Sequence, residues 1–230
     1  MTKEKLYTIC KGINDWMSTI PNVQEESLTD WLVYQITKKS DMKKPKMTCK
    51  TFSKKEEGRN TGADIELWIL TDSGNYAYRI QAKKLSANAK KNADSLAYPK
   101  RSVKKQYDML TKDAAKDGMT PLYMFYQKGH TGMLCPKYSK DCGAIITDAS
   151  LYSEYAHKIK DSYTATYIVQ NSYPLPCLLC FNSSCSKSIP TLNNGNLPDY
   201  VRELLATGTI QNENKLKSCK KLIAIDERKK

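Results

Sequence analysis

Histidine is nearly missing from this sequence: there are two in 230 residues, His130 and His157, set well apart. No Ser/His/Asp or Cys/His arrangement can be assembled around them, so a histidine-activated nucleophile has no basis. A glycine-rich phosphate loop is absent too, which removes the usual ground for nucleotide hydrolysis. No run approaches the roughly 20 apolar residues needed to span a bilayer. The first twenty residues carry Lys3, Lys5, Lys11 and Asp15 and lack the unbroken apolar stretch of a secretion signal. The chain therefore reads as cytoplasmic, and its eight cysteines as reduced thiols rather than a disulfide framework. Negative charge is the other shortage. Against 37 Lys and Arg stand 24 Asp and Glu, for a net charge of +13. Such a surplus belongs on the surface and attracts polyanions, nucleic acid ahead of anionic membrane.

With 40% hydrophobic residues, the chain has enough apolar material for a real core, and its length suits one domain. Leu6, Ile9, Ile13, Trp16, Met17 and Ile20 are spaced as one face of a helix that Pro21-Asn22 ends. Leu28, Leu32 and Ile36 mark a second helix over about 25–38. Strands are expected at 47–53, 63–70 and 75–85, the last two joined by Asp72-Ser73-Gly74, a turn in which glycine supplies positive φ. A helix over about 101–116 follows, stopped by Gly118, and Pro121–Tyr126 reads as a buried strand. Further on, the pattern suggests a helix over 148–160, a strand over 165–170, a short helix over 198–206 and an edge strand at 222–225. Two helices, three strands, a helix and a strand make an α/β mixed sheet with helices packed on it.

The chemistry concentrates on the central hairpin. Alternation puts Asp64 and Glu66 on one side of their strand, and Arg79, Gln81 and Lys83 on one side of theirs. Two carboxylates, an amide oxygen and an ammonium on one face suit a hard divalent cation beside a phosphate. A solvated sheet face would give the same alternation. What sets this hairpin apart is the wording: TGADIELWI, a turn, then YAYRIQAKK, with Asp64 and Gln81 17 residues apart.

That wording resembles the PD-(D/E)XK nuclease signature, in the Gln-x-Lys variant carried by Mrr-like restriction enzymes and bacterial defence nucleases. Gly62 precedes Asp64, while the family's proline is absent. EESLTD, KKEEGRNTGADIELW, RIQAKK and PLYMFY also resemble a narrower bacterial group with this core, over about residues 25–126. The resemblance implies a restriction-endonuclease-like core over about 21–130 with a C-terminal extension beyond it. It implies a Mg²⁺ or Mn²⁺ cofactor held by Asp64, Gln81 and the Ala82 carbonyl, with Lys83 orienting or activating water. Gln in place of Glu removes a charge, and Glu66 is the nearest acid to compensate. The family also places a Glu on the helix before the sheet. Glu25 shares the face of Leu28, Leu32 and Ile36, while the neighbouring Glu26 remains open, and either acid could merely complement the helix dipole. Gln106 lies beside Val103 and Leu110 in helical projection and can point towards the site, or serve as a boundary residue.

Two basic runs flank the hairpin: eight lysines over 38–55, and eight Lys or Arg over 83–105 with Asp94 as the one acid. Lys54, Lys55, Lys84, Lys104 and Lys105 are the candidate phosphate contacts, with Tyr98 as a stacking residue. Cys177, Cys180 and Cys185 have finger-like spacing at their first pair only. A structural zinc wants four ligands, and Leu178-Leu179 look like core, so buried thiols are the simpler reading. The function implied is DNA cleavage in prokaryotic defence, by a homodimer or with a partner protein, with RNA left open as a substrate. The alternatives are a nucleic-acid-binding protein that has lost catalysis and a basic scaffold.

Overall fold

The computed structural model describes residues 1–38, 47–51, 63–96, 106–152, 161–180, 196–208, 210 and 221–228. Helix α1 (Lys3–Thr19) starts at Thr2, whose hydroxyl accepts the Lys5 N–H at 3.1 Å and satisfies one donor the helix start leaves open. Its buried Leu6, Ile9, Cys10, Ile13 and Met17 recur at steps of three and four, turning one face inward. Helix α2 (Glu25–Lys38) buries Leu28, Leu32, Val33 and Ile36 in the same way. No helix among the described residues is long and apolar enough to cross a membrane.

Strands β1 (Met47–Thr51), β2 (Ile65–Thr71) and β3 (Gly74–Lys84) follow. β2 and β3 pair antiparallel through a two-residue turn at Asp72-Ser73, with Thr71 opposite Gly74. Gly74 takes φ +147°, a conformation costly for any residue with a Cβ. Helices α3 (Ala89–Leu96) and α4 (Gln106–Lys116) come next, then β4 (Thr120–Tyr126), with Gly118 at φ +66° turning the chain between them. The remainder is β5 (Ala144–Asp148), α5 (Ala165–Gln170), β6 (Tyr173–Pro174), α6 (Asp199–Thr207) and β7 (Lys221–Asp226).

All seven strands form one mixed sheet in the order β1-β7-β2-β3-β4-β5-β6. β7 runs parallel to β2 and β4 parallel to β3, while the other neighbours are antiparallel. One face carries Ile65, Leu67, Ile69, Ile80, Met124, Ile223 and Ile225 into a core shared with α1 and α2. The other presents Trp68, Leu70, Ala77, Leu222 and Ala224 to α4 and α6, against Ala114, Val201 and Leu204. The protein is thus an α/β fold with a mixed central sheet flanked by helices.

Three expectations from sequence are corrected. Residues 221–226 are not an edge strand but sit between β1 and β2, because their apolar run is buried by neighbours on both sides. Residues 165–170, rich in β-formers, are helical: the Thr164 hydroxyl accepts the Tyr167 N–H at 3.2 Å and starts a helix that buries Ile168 and Val169. In place of the start of a helix, Ala149–Tyr152 forms a single 3₁₀ turn; residues 153–160 lie outside the described ones. The region beyond residue 130 supplies β5, β6 and β7 to the same sheet as the hairpin.

Candidate active site

β3 outruns β2 at the end of the hairpin. The register closes with Ile65 opposite Ile80, and the Asp64 N–H donates to the Ile80 carbonyl at 2.9 Å. Past that point two carboxylates take over the ladder. Asp64 Oδ2 accepts the Ala82 N–H at 3.0 Å, and Glu25 Oε2 accepts the Lys84 N–H at 2.8 Å. Donors two residues apart on a strand are spaced by about 7 Å, so the two acids stand side by side along one strand edge. Glu25 is held there from behind: the Thr29 hydroxyl donates to its carbonyl at 3.0 Å, and the Tyr126 hydroxyl donates to that of Thr29 at 3.0 Å. Burial pushes the Glu25 carboxyl above its ordinary pKa; Lys83 pulls it back, and Asp64 pushes it further.

Gln81 faces Asp64 across the hairpin. Its Nε2 donates to Asp64 Oδ2 and, at 3.1 Å, to the Ala82 carbonyl. Its Oε1 accepts from Gln106 Nε2 at 2.9 Å. Lys83 lies one pleat further along the same face of β3. Asp64, Gln81 and Lys83 are all buried. Gln106 is delivered by α4, whose Leu110 and Ala114 are buried four and eight residues on. The structure therefore brings together Asp64, Gln81, Ala82, Lys83, Glu25 and Gln106.

Residues 4–230 match the model of a family described as a family of unknown function, DUF6615. The chain belongs to that family. No curated protein and no solved structure matches it. The DUF6615 match takes in α1 and β7 as well as the hairpin, so the site lies wholly inside the family's extent.

Glu66 is the candidate that the DUF6615 fold draws away. It is fully buried opposite Arg79, with Oε2 at 3.5 Å from the guanidinium. Its Oε1 accepts from Trp68 Nε1 at 2.7 Å and from the Tyr200 hydroxyl at 2.5 Å. Arg79 also pairs with Asp113 on α4 and, at 2.6 Å, with the exposed Asp117 just past the end of that helix. Glu66 thus serves a buried network joining β2, β3, α4 and α6, and Glu25 is the acid that accompanies Asp64. Glu26 is exposed to solvent. The Lys84 ammonium is spent within the protein, on the carbonyls of Pro21 at 2.8 Å and Val23 at 3.0 Å. Lys54, Lys55, Tyr98, Lys104 and Lys105 lie outside the described residues. Cys177 and Cys180 are buried cysteines in no disulfide, as are Cys10, Cys135 and Cys142, and Cys185 lies outside the described residues. Thr29 and Tyr126, which brace Glu25, went unnoticed in sequence, where PLYMFY read only as core.

Among the described residues no group of three or more His, Cys, Asp or Glu side chains converges as a metal cage. The donors here are of another kind: two carboxylates, an amide and a backbone carbonyl. All are oxygen donors, the set a hard cation such as Mg²⁺ takes. The set fits that cation on one condition. Gln81 now turns its NH₂ to Asp64 and the Ala82 carbonyl, so its oxygen must be brought round to join theirs.

Proposed function

We propose that this protein is a Mg²⁺- or Mn²⁺-dependent endonuclease of the PD-(D/E)XK kind, hydrolysing phosphodiester bonds of DNA as an effector of prokaryotic defence. The observation that carries this reading is the single cluster formed by Asp64, Gln81, the Ala82 carbonyl, Lys83 and Glu25 where β3 outruns β2. Asp64 and Glu25, with the oxygens of Gln81 and Ala82, would hold the cation. When bound, it supplies neutralisation of phosphate charge and a more acidic water. Lys83, on the same strand face, would donate hydrogen bonds to a phosphate oxygen as negative charge gathers there. Water attacks phosphorus, the bond to the leaving sugar oxygen breaks, and that oxygen takes up a proton. The net charge of +13 supports a polyanionic substrate, bound with strong salt dependence. Cutting both strands calls for two such sites, hence a homodimer or a partner protein.

A second reading is a nucleic-acid-binding protein whose metal site has been retired. The observation favouring it is the Gln81 NH₂, which satisfies Asp64 without any cation. Incubation with plasmid, linear DNA and RNA, with Mg²⁺, Mn²⁺ or EDTA, separates the two. The nuclease reading predicts metal-dependent nicking that Asp64→Asn and Lys83→Ala abolish. Cutting by either variant at the parent rate would sink it, and binding without product in every metal would favour the retired site.

A further inference from the structure

We propose that Gln106 is a positioning residue that sets which end of the Gln81 carboxamide faces Asp64, making the cation site switchable between a closed and an open state. The inference rests on the cation-site reading above and concerns how that site is controlled. A glutamine carboxamide has a donor end and an acceptor end, and its last torsion is broad and two-fold. In the orientation observed, the donor end of Gln81 sits on Asp64 Oδ2 and the Ala82 carbonyl, and its oxygen is taken by Gln106 Nε2 at 2.9 Å. The NH₂ group thus donates to two of the oxygens that would hold the cation.

Half a turn of that amide brings Gln81 Oε1 beside Asp64 and Ala82 and sends its NH₂ to Gln106. The turn succeeds only if Gln106 can offer an acceptor. It holds one in reserve: Gln106 Oε1 is buried and has no hydrogen-bond partner among the described residues. Turning both amides keeps one Gln81–Gln106 hydrogen bond and reverses its direction. The turned state gathers oxygens that repel one another, so it needs the cation, while the observed state needs none. A ligand that favours one of two states shifts the balance by its difference in affinity. Gln106 is well anchored for this, because α4 is fixed to the sheet by Leu110, Ala114 and the ties of Asp113 and Asp117 to Arg79.

The test is a Mn²⁺ titration of the full chain, read by electron paramagnetic resonance, for the parent, Gln106→Met, Gln81→Glu and the double variant. Gln106→Met should weaken Mn²⁺ binding about 10-fold or more in the Gln81 chain, the scale of losing an outer partner of a ligand. In the Gln81→Glu chain there is no amide to orient, and the same change should alter binding less than about 2-fold. Gln106→Glu, which only accepts, should hold the Gln81 amide turned. Its metal-free side-chain ¹⁵N–¹H signals for Gln81 should match those of the Mg²⁺-loaded parent, a readout that stands even if Gln106→Met fails to fold. Equal losses in both backgrounds, no loss in either, or Gln81 signals unmoved by Gln106→Glu would overturn the proposal alone. A parent chain that binds no Mn²⁺ would overturn the nuclease reading and this inference together.

Discussion

Two polar clusters occupy the same face of the β2–β3 hairpin one pleat apart, and they have opposite characters. At Glu66 and Arg79 the charges are buried and paired: Trp68 and Tyr200 donate to the carboxylate, and Asp113 and Asp117 pair with the guanidinium. At Asp64 and Gln81 the partners include a strand's leftover N–H, an amide that could face either way and a helix-borne glutamine whose oxygen has no hydrogen-bond partner among the described residues. The first cluster is bound up in ion pairs of its own and serves cohesion, even with Arg79 Nε lacking a hydrogen-bond partner among the described residues. The second holds polar capacity in reserve, and reserve is what a ligand can use. Residue type and strand phase do not distinguish the two; what lies beyond the strand end does.

The comparison is broken most forcefully at Arg79. Arg79→Met leaves Glu66 buried without its cation and should cost about 3–5 kcal/mol by urea denaturation. Lys83→Met, four residues on, should stay within about 1 kcal/mol of the parent in the same assay, since its ammonium holds no such network together among the described residues. For cleavage the ranking should invert. Lys83→Ala should lower the nicking rate about 10²–10³-fold, the range for removing one donor from a developing anion, with melting nearly unchanged. A smaller effect is expected at Tyr200→Phe, which deletes one bond to the Glu66 carboxylate. It should cost about 1.5–3 kcal/mol, with Mn²⁺ affinity untouched.

The last comparison is by pH, in EDTA. Burial raises the folded pKa of Glu25 above its unfolded value, so its stabilising contribution is complete below the ordinary 4.5 and is lost as pH rises through the folded value. Thermal melts of the parent and of Glu25→Gln should therefore diverge as pH climbs from 4, the parent losing ground. A constant difference would mean that Glu25 is not held in the protonation-sensitive position described.

Much of this was legible in the sequence, for reasons that also mark where legibility stops. Asp64, Gln81 and Lys83 could be aligned because a hairpin with a two-residue turn fixes its register arithmetically. Glu25 was favoured over Glu26 because helical phase ties it to Leu28 and Leu32. Phase could not separate Glu66 from Asp64, because both obey it; only Arg79, Tyr200 and α4, brought in by the tertiary fold, divide them. Lys84 looked like a surface cation because sequence does not show the carbonyls of Pro21 and Val23 arriving beside it. Residues 165–170 misled because Thr, Tyr, Ile and Val favour strands locally, whereas the cap at Thr164 and burial of Ile168 decided for helix. The strand at 221–226 was recognisable as a strand, but its place inside the sheet was not, since periodicity names a face and never a neighbour.

That placement has a consequence for the order in which the molecule can be made. β7 lies against β2, and its Lys221 N–H donates to the carbonyl of Asp64 at 3.0 Å. A growing chain emerges from the ribosome with its early segments first, so the hairpin is exposed long before its neighbour exists. Until residues 221–226 arrive, β2 has an open edge and Asp64 lacks one of the bonds that fix its backbone. The corner of the sheet that holds Asp64 is thus completed last, after nearly all of the described chain has emerged.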